Sequence, residues 1–246
     1  MPTRRPLAIP ELFLGLLAIA VAGWLIARDV NGTIHDARHA RDTVSVTGSA
    51  RKPISSNLVR WSIRVSHEAP KAATAASRLR GEVASVRVFL ERQGIPAAGI
   101  NPGVVYAEQQ VAVLPHHRRR ISYRVSQSLN VSTHKLDVVE QAATRVGLLI
   151  AQGIDVSAEQ PAYISTELTK AKLDALAAAT ADARQRAEIL VKGLGGKIGP
   201  MRRTELGVYQ ITPRDSTEIS DYGINDTSSR QKDVNAVVTA TFAVKR

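Results

Sequence analysis

Apolar and polar positions divide this chain at about residue 42. Leu12–Ala27, LFLGLLAIAVAGWLIA, is the one long apolar run, flanked by Glu11 and Arg28. Extended back through Pro6–Pro10, with Glu11 inside, it reaches the roughly 20 residues that a membrane-spanning helix needs. An N-terminal transmembrane helix within residues 1–28 is therefore expected. A cleaved signal peptide is the alternative, with Arg4 and Arg5 as its basic start and Ala18-Ile19-Ala20 or Ala20-Val21-Ala22 as its cleavage site. Either cut falls inside the apolar run, and Trp24 sits where an interfacial aromatic anchors a helix, so the anchor is favoured. Arg4 and Arg5 place the N-terminus in the cytoplasm, whereas Arg28, Arg38 and Arg41 oppose that, so charge alone does not orient the helix. Residues 29–42 read as a tether.

Beyond the tether the pattern is that of an α+β fold over residues 43–246. Val44 and Val46 alternate with Thr43, Ser45 and Thr47, a short strand. In Leu58–Ser66, Val59, Trp61, Ile63 and Val65 share one face, and Arg60, Ser62, Arg64 and Ser66 the other. That period of two marks a sheet with one wet face. Lys71–Gln93 carries an apolar stripe at Ala72, Ala76, Leu79, Val83, Val86 and Leu90, a helix stopped by Gly94. A strand around Val104–Val113 follows, then the polar turn Pro115–Arg120. Ile121–Val131 is the clearest strand, with Ile121, Tyr123, Val125, Leu129 and Val131 on its apolar face. A second helix is expected over Leu136–Gln152, stopped by Gly153, then a strand over Ile154–Ser165. A long Ala-rich helix over Glu167–Lys192 has its buried stripe at Leu176, Ala179, Ala183, Ala187 and Leu190, continued by Leu194. Strands near Met201–Thr212 and Asn235–Lys245 complete the pattern. Between them, residues 213–233 are rich in Ser, Asp and Thr without apolar period, and read as a mobile acidic loop dispensable for folding.

Charge adds a location for partners. The formal net charge is +11, concentrated over Arg51–Arg92 and reversed over Glu205–Asp233. Such a basic surface suits anionic lipid, acidic polysaccharide or nucleic acid, or is plain solvated surface. With no cysteine in the chain, disulfides, thiolate metal sites and a cysteine nucleophile are excluded.

Candidate chemistry is sparse. Gly193, Gly195, Gly196 and Gly199 close a helix and lead into a strand, the reverse of a phosphate loop, so they read as cap and turn. His116 and His117 stand beside Arg118, Arg119 and Arg120, whose charge repels a metal cation but suits an anion. Arg60 and Arg64 lie on the wet strand face, joined by Arg124 if the strands pair. These five, Arg60, Arg64, Arg118, Arg119 and Arg120, are the candidate anion contacts. Trp61 and Tyr123 point with the apolar residues, so the stacking aromatics of a nucleic-acid sheet are missing and no nucleic acid is expected as a partner. His35 and His39 lie in the tether. No nucleophile elbow, zincin helix or phosphate loop is present, so no catalytic, metal or cofactor residue is assigned and no cofactor is expected. An echo, FLERQGI at Phe89–Ile95 and LLIAQGI at Leu148–Ile154, suggests either two related α-then-β units or the shared chemistry of helix caps.

Five segments in order resemble the SIMPL-domain family: VSVTGSARKPISSNLVRWSIRVS, FLERQGIPAAGINPGVVYAEQQ, YRVSQSLNVSTHKLDVVEQAATRVGLLIAQGI, ALAAATADARQRAEILVKGLGGKIG and VNAVVTATFAV. The resemblance runs from about Thr43 to Val244. It implies an α+β domain with about three helices packed on antiparallel sheet. It also implies a mostly bacterial cell-envelope protein, secreted or held by one N-terminal segment, and prone to self-association. It brings no agreed catalytic residues. The chain departs from the pattern at its PHHRRR turn and in the length of its acidic loop. The expectation is therefore a non-enzymatic protein of the bacterial inner membrane, its soluble domain in the periplasm, binding partners or forming a homo-oligomer, with an anionic envelope component as a candidate ligand. Secretion to the periplasm after signal cleavage is the alternative location. A hydrolase or lipid-modifying enzyme without recognisable motif and a basic nucleic-acid-binding domain are the alternative functions.

Overall fold

The computed structural model describes residues 42–115 and 118–245. The expected membrane helix, almost all of the tether and the two histidines of the PHHRRR turn lie outside the described residues. Among the described residues no helix is long and apolar enough to cross a membrane. The architecture is α+β, with largely antiparallel sheets and, among the described residues, four α-helices, two of them the halves of one broken helix. It comprises two units. One contains residues 42–49, 178–207 and 237–245; the other contains 50–177 and 208–236.

The larger unit is built on β2 (Leu58–Ala69). Antiparallel β4 (Arg119–Thr133) pairs with one of its edges, from Val59 opposite Thr133 to Ala69 opposite Tyr123. β5 (Asp155–Ala158) and β6 (Ala162–Ile164) share its other edge. The expected single strand over 154–165 is split because Pro161, without an N–H, interrupts the ladder between them. β3 (Ile100–Val113) pairs with the outer edge of β4 and ends the sheet. Alternation places Val59, Ile63 and Val65 in the core, fully buried, where each contributes about 1.5–3 kcal/mol. The helix α1 (Ala72–Arg92) covers this face with Ala75, Leu79, Val86 and Leu90. Its stripe starts at Ala75, since Ala72 is exposed in the first turn. The expected second helix is broken at Val146 into α2 (Leu136–Arg145) and α3 (Gly147–Ala151).

The smaller unit pairs the beginning of β1 (Thr43–Ser55) and antiparallel β7 (Lys197–Leu206) with the end of β10 (Gln231–Lys245). The expected strand over 201–212 turns at Gly207, so β8 (Gln210–Pro213) is separate; in the larger unit it pairs with the start of β10 and, in parallel, with β9 (Ile224–Asn225). The long helix α4 (Leu168–Gly193) buries Ala171, Ala175, Ala179, Ala183, Ala187 and Val191, an unbroken i, i+4 row. This corrects the expected stripe: Leu190 is exposed and Leu194 is 90% exposed. Small side chains win the buried row because the backbone comes very close. A Cβ on Gly48 of β1 would stand 2.3 Å from both the Ala179 oxygen and the Ala183 nitrogen. Ser49 N–H also donates to Asp182 Oδ2 across 2.8 Å.

Three helix ends share one cap. Ile95 N–H donates to Leu90 O, Ile154 N–H to Leu149 O and Gly196 N–H to Val191 O, each behind a positive-φ glycine (Gly94, Gly153 or Gly195). This is the Schellman geometry. It accounts for the QGI echo, since the third helix has the same bonds without the echo, and it places Gly193, Gly195 and Gly196 in a cap and turn, with Gly199 already inside β7.

Candidate functional site: the β3–β4 ribbon and the wet face of its sheet

Hydrogen-bond register makes the β3–β4 pair a ribbon with two unlike faces. After an irregularity between Pro102 and Val105 the pairing is regular, from Val105 opposite Gln127 to Val113 opposite Arg119. Opposed residues share a face. One face therefore carries Val105, Ala107, Gln109, Val111 and Val113 beside Gln127, Val125, Tyr123, Ile121 and Arg119. At Val125 this face is core. Toward the tip it is uncovered: Ile121 is 47% exposed, Val111 52% and Val113 71%. Ile121 shares the apolar face of β4 as expected, but that face is buried only over the inner half of the strand. The outer edge of β3 pairs with no other strand among the described residues. A long unpaired edge flanked by exposed apolar side chains is what soluble proteins usually blunt or cover.

The other face is polar. Arg60 stands opposite Ser132 and Arg64 opposite Ser128, both exposed. Among the described residues neither has a carboxylate within ion-pairing distance. Arg124 is on this face but committed: its guanidinium pairs with Glu68 at 3.4 Å and with Asp155 at 3.7 Å. Ser122 Oγ donates to Glu68 Oε1 at 2.7 Å, and Ser66 Oγ to Asp155 Oδ2 at 2.7 Å. The Ser122 hydroxyl, followed by the Arg124 guanidinium, holds the Glu68 carboxyl below its ordinary pKa. Arg60 also lines a shallow groove of about 340 Å³ with Ser62, Asn101, Asn130, Ser132 and Glu159. That groove offers amides, hydroxyls, one cation and one carboxylate.

Register separates the candidate arginines into two groups. Arg64 lies opposite Ser128, whereas Arg119 and Arg120 pair with Val113 and Ala112 at the ribbon tip, beside Arg118. Eight positions of β4 between Ser128 and Arg120 span about 26 Å. The five do not form one anion site.

A further network went unseen in the sequence. Buried Lys232 donates through Nζ to the carbonyl of Tyr163 at 2.7 Å and to that of Asp226. Tyr163 OH donates to Glu140 Oε1 at 3.0 Å, and Arg230 joins Asp137 and Glu140. Desolvation, then the Glu140 hydrogen bond, push the Tyr163 phenol up to about 12. Desolvation also pulls the Lys232 ammonium below its ordinary pKa. With Tyr163 N–H donating to Thr227 O and Ser56 N–H to Arg230 O, these bonds tie down residues 226–232. Much of the expected acidic loop is therefore pinned, because its polar side chains serve main-chain acceptors and turns, a use that composition does not reveal.

Two histidines are held by partners elsewhere in the larger unit. His67 Nδ1 meets Glu82 Oε1 at 2.8 Å, and His134 Nδ1 meets the Asn57 carbonyl. Among the described residues no hydroxyl is hydrogen-bonded to either ring, and no cluster of His, Asp and Glu is arranged to hold a metal ion.

The family model for SIMPL, proteins of unknown function (DUF541), matches residues 44–242. The chain is a SIMPL-family protein. No curated protein matches it. The SIMPL match begins in β1 and ends in β10, so it takes in both units and the whole ribbon.

Proposed function

We propose that this SIMPL protein is a non-enzymatic, membrane-tethered module of the bacterial envelope that works by protein–protein association through its β3–β4 ribbon. The observation that carries the reading is the bare edge of β3 together with an apolar face left uncovered from Val105 to Val113. Contiguous exposed apolar surface beside an unpaired strand edge is the chemistry of strand addition. The apolar run Leu12–Ala27 supports a membrane tether, and the envelope location that the SIMPL family implies supports the domain's lying on the periplasmic side. A compartment reporter fused after residue 246 tests the location. Activity of a periplasmic reporter is expected; activity of a cytoplasmic one would sink the envelope reading.

A second reading rests on Arg60 and Arg64. Two exposed guanidinium groups four positions apart on a polar sheet face suit an anionic envelope polymer. Replacing both with glutamine should abolish any salt-sensitive retention of the protein on a polyanionic matrix. Unchanged retention would remove this reading.

A further inference from the structure

We infer that the partner of β3 is a second copy of β3, paired antiparallel in a register centred on Gln109. This rests on the association reading above and adds both the occupant and the register.

The main chain sets which residues are available. Leu114 N–H donates to Arg118 O at 2.7 Å, the last rung of a ladder in regular register back to Val105. In an antiparallel pair alternate residues turn their N–H and C=O to the same side. Residues 106, 108, 110 and 112 therefore spend theirs on β4. Val105, Ala107, Gln109, Val111 and Val113 turn theirs to the bare edge. Those same five carry their side chains on the apolar face.

Around Gln109 the strand is its own complement. A two-fold axis there sets Val105 against Val113, Ala107 against Val111 and Gln109 against itself. Each outward residue meets another outward residue, so both main-chain bonds of every pair can form. Opposed residues must share a face, so the axis has to pass through a residue. Centred on Glu108 it would set two carboxylates directly opposite, which is destabilising. Centred on Ala107 the overlap runs into the irregularity between Pro102 and Val105. Centred on Gln109 it opposes Glu108 only to Gln110.

Charge selects the direction. Arg118, Arg119 and Arg120 crowd the tip of each ribbon. A parallel pair would set the two tips side by side. The antiparallel pair about Gln109 holds the two Val113 residues eight positions apart, about 27 Å, beyond the screening length of physiological salt. Over 105–113 the edge has no lysine, proline or bulge to prevent pairing.

The absence of cysteine gives a clean background for the test. The full chain is expressed in membranes with single cysteines and mildly oxidised. Gln109→Cys alone should cross-link to a dimer. Ala107→Cys and Val111→Cys should cross-link poorly alone and efficiently when co-expressed. Gln109→Pro removes an N–H that faces the bare edge, and should weaken association about tenfold or more while the thermal transition persists. If that variant misfolds, Val111→Lys, at an exposed position, makes the same test. An oligomer by light scattering without the Gln109→Cys cross-link would overturn this register and leave the association reading intact. A monomeric wild type would overturn both.

Discussion

Replacing Gly48 with alanine adds one methyl group where the smaller unit has no room. Its Cβ would lie 2.3 Å from the Ala179 oxygen, 2.3 Å from the Ala183 nitrogen and 2.7 Å from the Ala183 Cα. Carbon contacts settle at about 3.5–4.0 Å, so strand and helix must part by about 1 Å or more. All three neighbours are helix backbone, and none can swing aside. Parting loosens the packing of Val46, Ala183, Ala187, Ala240 and Phe242, which form this unit's core. Overpacking usually costs about 1–3 kcal/mol, and a backbone collision belongs at the upper end. Near 3 kcal/mol, the melting temperature should fall by about 6–12 °C. Gly81, inside α1, is the control, since a Cβ there meets nothing within 4 Å. Gly81→Ala should stabilise by about 0.5–1 kcal/mol through helix propensity. Thermal denaturation of both variants by circular dichroism checks the pair. Equal small effects at the two glycines would refute the close crossing of β1 and α4.

Other substitutions probe the buried polar network and the loop. Lys232→Met leaves the Tyr163 and Asp226 carbonyls without their donor and should cost about 2–4 kcal/mol in urea denaturation. Tyr163 titrates at about 12 when folded and near 10 when unfolded, so the folded state holds its proton longer. Its contribution is complete below pH 10 and is lost as pH rises toward 12. A plot of the stability difference between wild type and Tyr163→Phe against pH should fall through that window. A flat plot would contradict the burial and the Glu140 bond. Removing residues 216–219 should leave the melting transition in place, whereas removing 224–233 should abolish it, because only the latter carries Asp226, Arg230 and Lys232. Limited proteolysis provides an independent check, with the first cut expected near Ile219 or Tyr222, both highly exposed.

What was legible in the sequence follows from which physics is periodic. β2 and β4 read clearly because period-two alternation is caused by burial of one face, and Val59, Ile63, Val65, Val125 and Leu129 are buried as that demands. The same alternation runs on to Ile121 although nothing covers it. Pattern reports the face a residue shares, not what lies against that face. Ala179, Ala183 and Ala187 of α4 are buried as the stripe predicts, but Leu190 and Leu194 are not; leucines normally mark a core stripe, whereas here Gly48 brings the backbone so close to Ala179 and Ala183 that the buried row consists of small side chains. The splitting of the arginines depends on β2–β4 register, which no local signal encodes. Asp226 and Lys232 fall inside the expected acidic loop because only tertiary contacts give their polar groups buried partners, Tyr163 among them.

Light scattering of the full-length chain in mild detergent, compared with Val111→Lys, tests the central claim most directly. Wild type should exceed the mass of one chain, increasingly so at higher protein concentration. The variant should remain monomeric with an unchanged melting transition. A wild type that stays monomeric at every concentration, or a variant that associates as strongly, contradicts the proposal that the β3–β4 ribbon is the working surface.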